Sequence, residues 1–142
     1  MPIINSVFLI DDEPMFNLIN QKIIDISKFS TNTFSYTDAS TAVNELIFLL
    51  KNNPHQFPQI IFLDINMPLM DGWDFLEQLS TFPRIIIGNC RVYMLTSSID
   101  PMDIIKARNY HIVQDFISKP LTIERLSSLK LDLLGSSTFQ KS

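Results

Sequence analysis

The sequence predicts a doubly wound α/β fold, in which a five-stranded parallel sheet is covered by helices on both faces. Three observations predict it. Five short apolar runs alternate with segments of helical periodicity. The central run, "IIFL" at 60–63, is apolar at every position, a pattern that suits a strand buried on both sides. The chain of 142 residues is long enough to bury one core and too short for two ordinary domains.

The elements follow in order. A strand is expected at 6–10, then a helix at 14–27, whose Pro14 suits a first-turn position because no N–H is needed there. A strand at 33–37 precedes a helix at 39–51, in which Ala42, Leu46, Leu49 and Leu50 recur near helical spacing and should face the sheet. The third strand, 60–63, leads to a helix at 72–80, and the fourth, 91–95, to a helix at 101–110 that opens on Pro101. The last strand and helix are expected at 115–118 and 122–133. "RIIIG" at 84–88 is strand-like in composition but sits before a better strand, "RVYML", and is expected to be a loop packed on the sheet. The domain should occupy 1–134, with the polar segment 135–142 a flexible tail.

Composition excludes several function classes. Eleven basic and fifteen acidic side chains give a net charge of -4 with no basic run, which argues against direct contact with nucleic acid. Apolar runs fall far below the roughly 18 residues of a membrane span, and no export signal opens the chain, so a cytoplasmic protein without membrane contact is expected. Cys90 is a lone cysteine and is assigned no role. With only three glycines, neither a G-x-G-x-x-G nor a P-loop is present, which disfavours a nucleotide or flavin enzyme.

Ligands of open α/β sheets bind outside the carboxyl ends of the strands. Polar residues collect at those ends here: "DDEP" (Asp11, Asp12) after the first strand, Asp64 after the third, Thr96 after the fourth and Lys119 after the fifth. With the strand order 2-1-3-4-5, the first and third strands are neighbours and Asp11, Asp12 and Asp64 converge. Three close carboxylates repel one another unless a cation is supplied. Mg2+, which accepts one or two carboxylates plus phosphate oxygens, suits so sparse a pocket better than Ca2+. Lys119 would then meet an incoming phosphate, Thr96 would donate to it, and Asp64 would be the nucleophile of an acyl phosphate.

Taken together, "FLIDDEP", "IIFLDINMPLMDGWDFL", "MLTSS" and "DFISKPL", in this order and spacing, resemble the receiver domains of two-component response regulators over residues 4–134. The resemblance implies a (βα)5, flavodoxin-like fold and a single-domain phosphoacceptor. It implies that Asp64 accepts a phosphoryl group from a phosphohistidine on a sensor histidine kinase or phosphotransfer protein. Asp11, Asp12, Asp64 and the backbone carbonyl of Asn66 would hold Mg2+, with Thr96 and Lys119 contacting the phosphoryl group. Phe116 matches the switch aromatic, and Lys119-Pro120 the cis peptide. Output would pass to a downstream protein or by onward phosphotransfer, and a homodimer is among the candidate assemblies. Where the family commonly has Gly-Ala, this chain has Ile112 and Val113, which puts the adjoining loop and partner surface in doubt. Ser98 and Asn66 stand where the family tunes phosphoryl lifetime, and neither is a strong base, so slow self-dephosphorylation is expected.

Bland alternatives exist for each residue. "DDEP" could cap the first helix. Asp71 and Asp74 are expected to be cap and first-turn acids, and Gly72 to serve backbone geometry. His55 and His111 are expected at the surface. Competing functions are a phosphorylation-independent adaptor and a phosphatase acting through an aspartyl phosphate; the short loops leave little room for the covering insertion the latter needs.

Overall fold

The computed structural model describes residues 4–141, with side chains from Ile4 to Leu134. The chain runs β1 (Ile4–Ile10), α1 (Pro14–Ser27), β2 (Ser30–Tyr36), α2 (Ala39–Asn52), a 3-10 turn (Pro54–Gln56), β3 (Ile60–Asp64) and α3 (Gly72–Leu79). It continues through α4 (Arg84–Ile87), β4 (Arg91–Thr96), α5 (Pro101–Ala107), β5 (Val113–Ser118) and α6 (Ile123–Lys141). The five strands form one parallel sheet in the order β2-β1-β3-β4-β5.

The sheet divides the core in two. Strand alternation sends Phe8, Ile10, Ile61 and Leu63 to one face, where Ala42, Leu46 and Leu49 of α2 and Phe75 and Leu76 of α3 cover them. Val7, Leu9, Ile60 and Phe62 point to the other face, against Ile24 of α1 and Leu126 and Leu129 of α6. All five residues of β3 are buried, as an apolar run covered from both sides requires.

One segment differs in kind from its sequence-based expectation. "RIIIG" is not a loop: Pro83 precedes one helical turn in which the N–H groups of Ile86 and Ile87 both reach the Pro83 carbonyl. Three consecutive β-branched residues read as strand, yet only Ile86 and Ile87 pack on the core and Ile85 faces solvent, which a turn of helix allows. The backbone of 135–141 continues α6 (Ile123–Lys141), and Ser142, the end of the expected tail, lies outside the described residues. Once nucleated, a helix gains one hydrogen bond for each residue added.

Candidate functional site

The carboxyl ends of β1 and β3 adjoin, since Ile10 pairs with Leu63, so the residues that follow them meet at one edge of the sheet. Asp11 is fully buried, Asp64 is 4% exposed, and Asp12 is half-buried. One carboxylate oxygen from each of Asp11, Asp12 and Asp64 lies within 4.8 Å of the others. Lys119, following β5, inserts its Nζ between two of them, 3.1 Å from Asp11 Oδ2 and 3.4 Å from Asp64 Oδ1. The same ammonium sits 4.4 Å from the centre of the Phe16 ring, a cation–π contact. The Lys119-Pro120 peptide bond is cis.

Electrostatics record the crowding. Burial, followed by the charge of Asp11, raises the Asp64 carboxyl from 3.8 to about 7, although Lys119 pulls it down. Burial alone would lower the Lys119 ammonium, but its hydrogen bond to Asp11 and the charges of Asp11 and Asp64 outweigh burial and raise it. One lysine among three acids leaves negative charge unbalanced.

The capping alternative for "DDEP" does not describe this geometry. Glu13 is the N-cap of α1 and makes no side-chain cap bond, while Asp11 Oδ1 accepts the Glu13 N–H at 2.9 Å. Asp71 and Asp74, by contrast, form a reciprocal capping box at the start of α3. Gly72 is required by close approach: a Cβ there would lie 2.7 Å from the Asp64 carbonyl oxygen. Its N–H bonds to the Ile65 carbonyl, fixing the loop below the acids.

Thr96 ends β4 at 6% exposure, and its hydroxyl donates to the Ser98 carbonyl at 2.9 Å and accepts the Ser98 N–H at 3.2 Å. Thus Thr96 stands at the site's edge with its hydroxyl engaged by its own loop. The Lys119 N–H donates to the Thr96 carbonyl, tying β4 to the lysine's loop. Phe116 is half-buried, pairs in register with Met94, and lines a cavity of about 180 Å3 with Ile104, Ala107 and Val113. Asn66, two residues beyond Asp64, is exposed between buried Ile65 and Met67. His55 and His111 are exposed, and Cys90 is buried, its thiol pushed up to about 12 by burial.

Two residues not anticipated from the sequence build the site from beneath. Asn17 Nδ2 donates to the carbonyls of Asp11 and Tyr36 at 3.0 and 3.1 Å, joining the β1 and β2 ends. Asn20 Oδ1 accepts the Leu121 N–H at 2.9 Å, anchoring the segment just past Lys119. Their signal was polarity at i and i+3 on the α1 face that also carries buried Ile24.

The chain belongs to the response regulator receiver domain family, whose pattern it matches over residues 7–129. It is thus a receiver domain of a two-component response regulator. It is 31% identical over 122 residues to a probable C4-dicarboxylate response regulator of Halalkalibacterium halodurans, covering 86% of this chain and 48% of that one. It is 27% identical to a two-component response regulator of Arabidopsis thaliana, over 99% of this chain and 23% of the relative. The chain therefore spans about half or less of the length of these curated relatives. A crystal structure of a two-component response regulator from Cytophaga hutchinsonii superposes with a TM-score of 0.84 at 34% identity, covering 93% of this chain and 98% of that one. Among the described residues no helix is long and apolar enough to cross a membrane.

Proposed function

We propose that the chain accepts a phosphoryl group on Asp64 and uses it to switch a protein-binding surface. The observation that carries this reading is the cluster of three carboxylates balanced by one lysine at the carboxyl edge of the sheet. Such a donor set fits Mg2+: the oxygens are hard, they converge, and their charge exceeds what Lys119 neutralises. Asp11, Asp12 and Asp64, with the Asn66 carbonyl, would hold the ion. When bound, it would neutralise charge on the phosphoryl oxygens and the carboxylates.

In the transfer itself, an Asp64 oxygen forms the O–P bond as the P–N bond of a donor phosphohistidine breaks. The electron pair stays on the imidazole nitrogen, which takes up a proton. Lys119, held beside Asp64, moves its Nζ from the carboxylates to the incoming phosphoryl oxygens. The donor is a histidine kinase or a histidine phosphotransfer protein, and no other turnover is assigned to the site.

The switch follows from Thr96. A dianionic group on Asp64 offers the Thr96 hydroxyl a charge-assisted partner better than the Ser98 carbonyl, drawing the loop after β4 inward. Phe116 can then turn within the cavity it lines. Ile99, Met102, Ile104 and Ile105 are exposed on or beside α5, making that face the output surface for a downstream protein. NMR of the chain with Mg2+ and beryllofluoride tests both parts. Shifts should appear at Asp64, Thr96, Lys119 and Phe116 and be absent in Asp64→Asn; identical spectra with and without the mimic would contradict the reading.

A further inference from the structure

Among the described residues the sheet has two unpaired edges, and they differ. β5 pairs with β4 alone, and its ladder breaks register at Val92 and Tyr93. It also carries exposed Asp115, paired with Arg125 of α6 at 2.8 Å. A break in register and a charge are means by which an edge strand is kept from pairing further. β2 has neither. Its seven residues, "STNTFSY" at 30–36, include no charge and no proline, and they hold one register along β1 from Ile4 with Ser30 to Ile10 with Tyr36.

The Tyr36 carbonyl accepts the Asp11 N–H, so Tyr36 and, by alternation, Phe34 and Asn32 turn their backbone groups toward β1. The N–H and C=O groups of Thr31, Thr33 and Ser35 therefore point away from the sheet, where no strand meets them. Thr31, Asn32, Phe34 and Ser35 are exposed, Phe34 by 47%. A large ring half in water on a neutral, unpaired edge suits a surface that another strand covers.

The strand is complementary to itself. Laid antiparallel across a two-fold axis at Thr33, two copies set Thr33 against Thr33, Thr31 against Ser35 and Asn32 against Phe34. Thr–Thr and Thr–Ser are favourable cross-strand pairs. Three residues of each strand then exchange N–H and C=O groups, giving about six hydrogen bonds between the chains. The two Phe34 residues become diagonal neighbours, about 7–8 Å apart and within reach of aromatic side chains. Just beyond the strand, the same register sets exposed Lys28 of one copy toward exposed Asp38 of the other, and symmetry repeats the pair. We propose that the chain forms a two-fold dimer in which β2 pairs antiparallel with β2 of a second copy, joining two five-stranded sheets into one. So narrow a strip falls at the low end of interface size, and the dimer is reversible. The inference stands apart from phosphorylation of Asp64.

Sedimentation equilibrium of the full chain up to about 1 mM tests association, and amide hydrogen exchange in dilute and concentrated samples locates it. Exchange at the Thr31, Thr33 and Ser35 N–H groups should slow with concentration, while Asn32 and Phe34, already bonded to β1, change little. Thr33→Pro removes an outward donor without touching the β1 ladder, and Thr33→Lys sets two ammonium groups face to face on the axis. Both should be monomeric, with circular dichroism showing the fold retained. Lys28→Glu should weaken association about threefold or more, since it meets Asp38 with like charge. A chain monomeric at about 1 mM would overturn the proposal. So would a dimer that Thr33→Lys retains, or one whose concentration-dependent protection lies on another element.

Discussion

Lys119 Nζ lies 3.1 Å from an oxygen of Asp11 and 3.4 Å from one of Asp64, so one ammonium serves as shared counter-ion to two buried carboxylates. Its side chain is 7% exposed against 1% and 6% for its partners, which places the triad where removing one charge strands the others. Lys119→Met should therefore destabilise the metal-free protein by about 3 kcal/mol. Urea unfolding with EDTA and then with Mg2+ measures this, and added Mg2+ should recover part of the loss. Equal stability of variant and native chain in EDTA would mean that the acids are not held charged together.

The acid cluster also sets a pH dependence. Burial and then Asp11 raise the Asp64 carboxyl to about 7 in the folded state from an ordinary 3.8. A raised value means that the folded state holds the proton more tightly. The associated stability is fully present below about 3.8 and is lost as pH rises through about 7. In metal-free buffer the native chain should weaken across that window, and Asp64→Asn should not. At pH 8 the variant should be the more stable by on the order of 2 kcal/mol, read from urea midpoints.

Asn20 is fully buried and accepts the Leu121 N–H at 2.9 Å, two residues beyond Lys119. Asn20→Ala leaves that donor unpaired and should cost about 1–3 kcal/mol. The loop that carries Lys119 loosens with it, so acceptance of a phosphoryl group from acetyl phosphate should slow at a denaturant-free temperature where the variant is still folded. A stability loss with an unchanged rate would assign Asn20 to the core alone.

Gly72→Ala puts a Cβ 2.7 Å from the Asp64 carbonyl and 3.0 Å from the Ile65 Cα. Both neighbours are backbone, so the loop must move, at a cost of about 1–3 kcal/mol. One of the displaced atoms is the carbonyl oxygen of Asp64, the proposed phosphoacceptor, and the phosphorylation rate should fall about tenfold or more. A time course of adduct formation at saturating Mg2+ checks this.

The sheet was legible because its strands differ in kind from what separates them. The unbroken apolar run 60–63 required cover on both faces, and the acids and Lys119 stood out by ending apolar strands. β2 begins at Ser30, three residues before the expected start, because its first residues are polar and owe their strand geometry to pairing, Ile4 with Ser30 and Ser6 with Asn32. Hydrophobic pattern cannot show an edge strand formed through a partner's backbone. The i, i+3 polarity of Asn17 and Asn20 marked them on the α1 face but did not reveal them as site residues, for a related reason: their partners are carbonyl and N–H groups of other elements, up to 101 residues away. The helical turn at "RIIIG" rests on the Pro83 carbonyl, which composition does not reveal.

The central claim is that Asp64 is the phosphoacceptor, and intact-protein mass tests it most directly. The native chain and Asp64→Asn are incubated with acetyl phosphate, each with Mg2+ and with EDTA. One phosphoryl adduct should appear on the native chain with Mg2+ alone. An adduct that persists in Asp64→Asn, or none on the native chain with this donor or any of a panel of histidine kinases, would contradict the account and leave a phosphorylation-independent adaptor in its place.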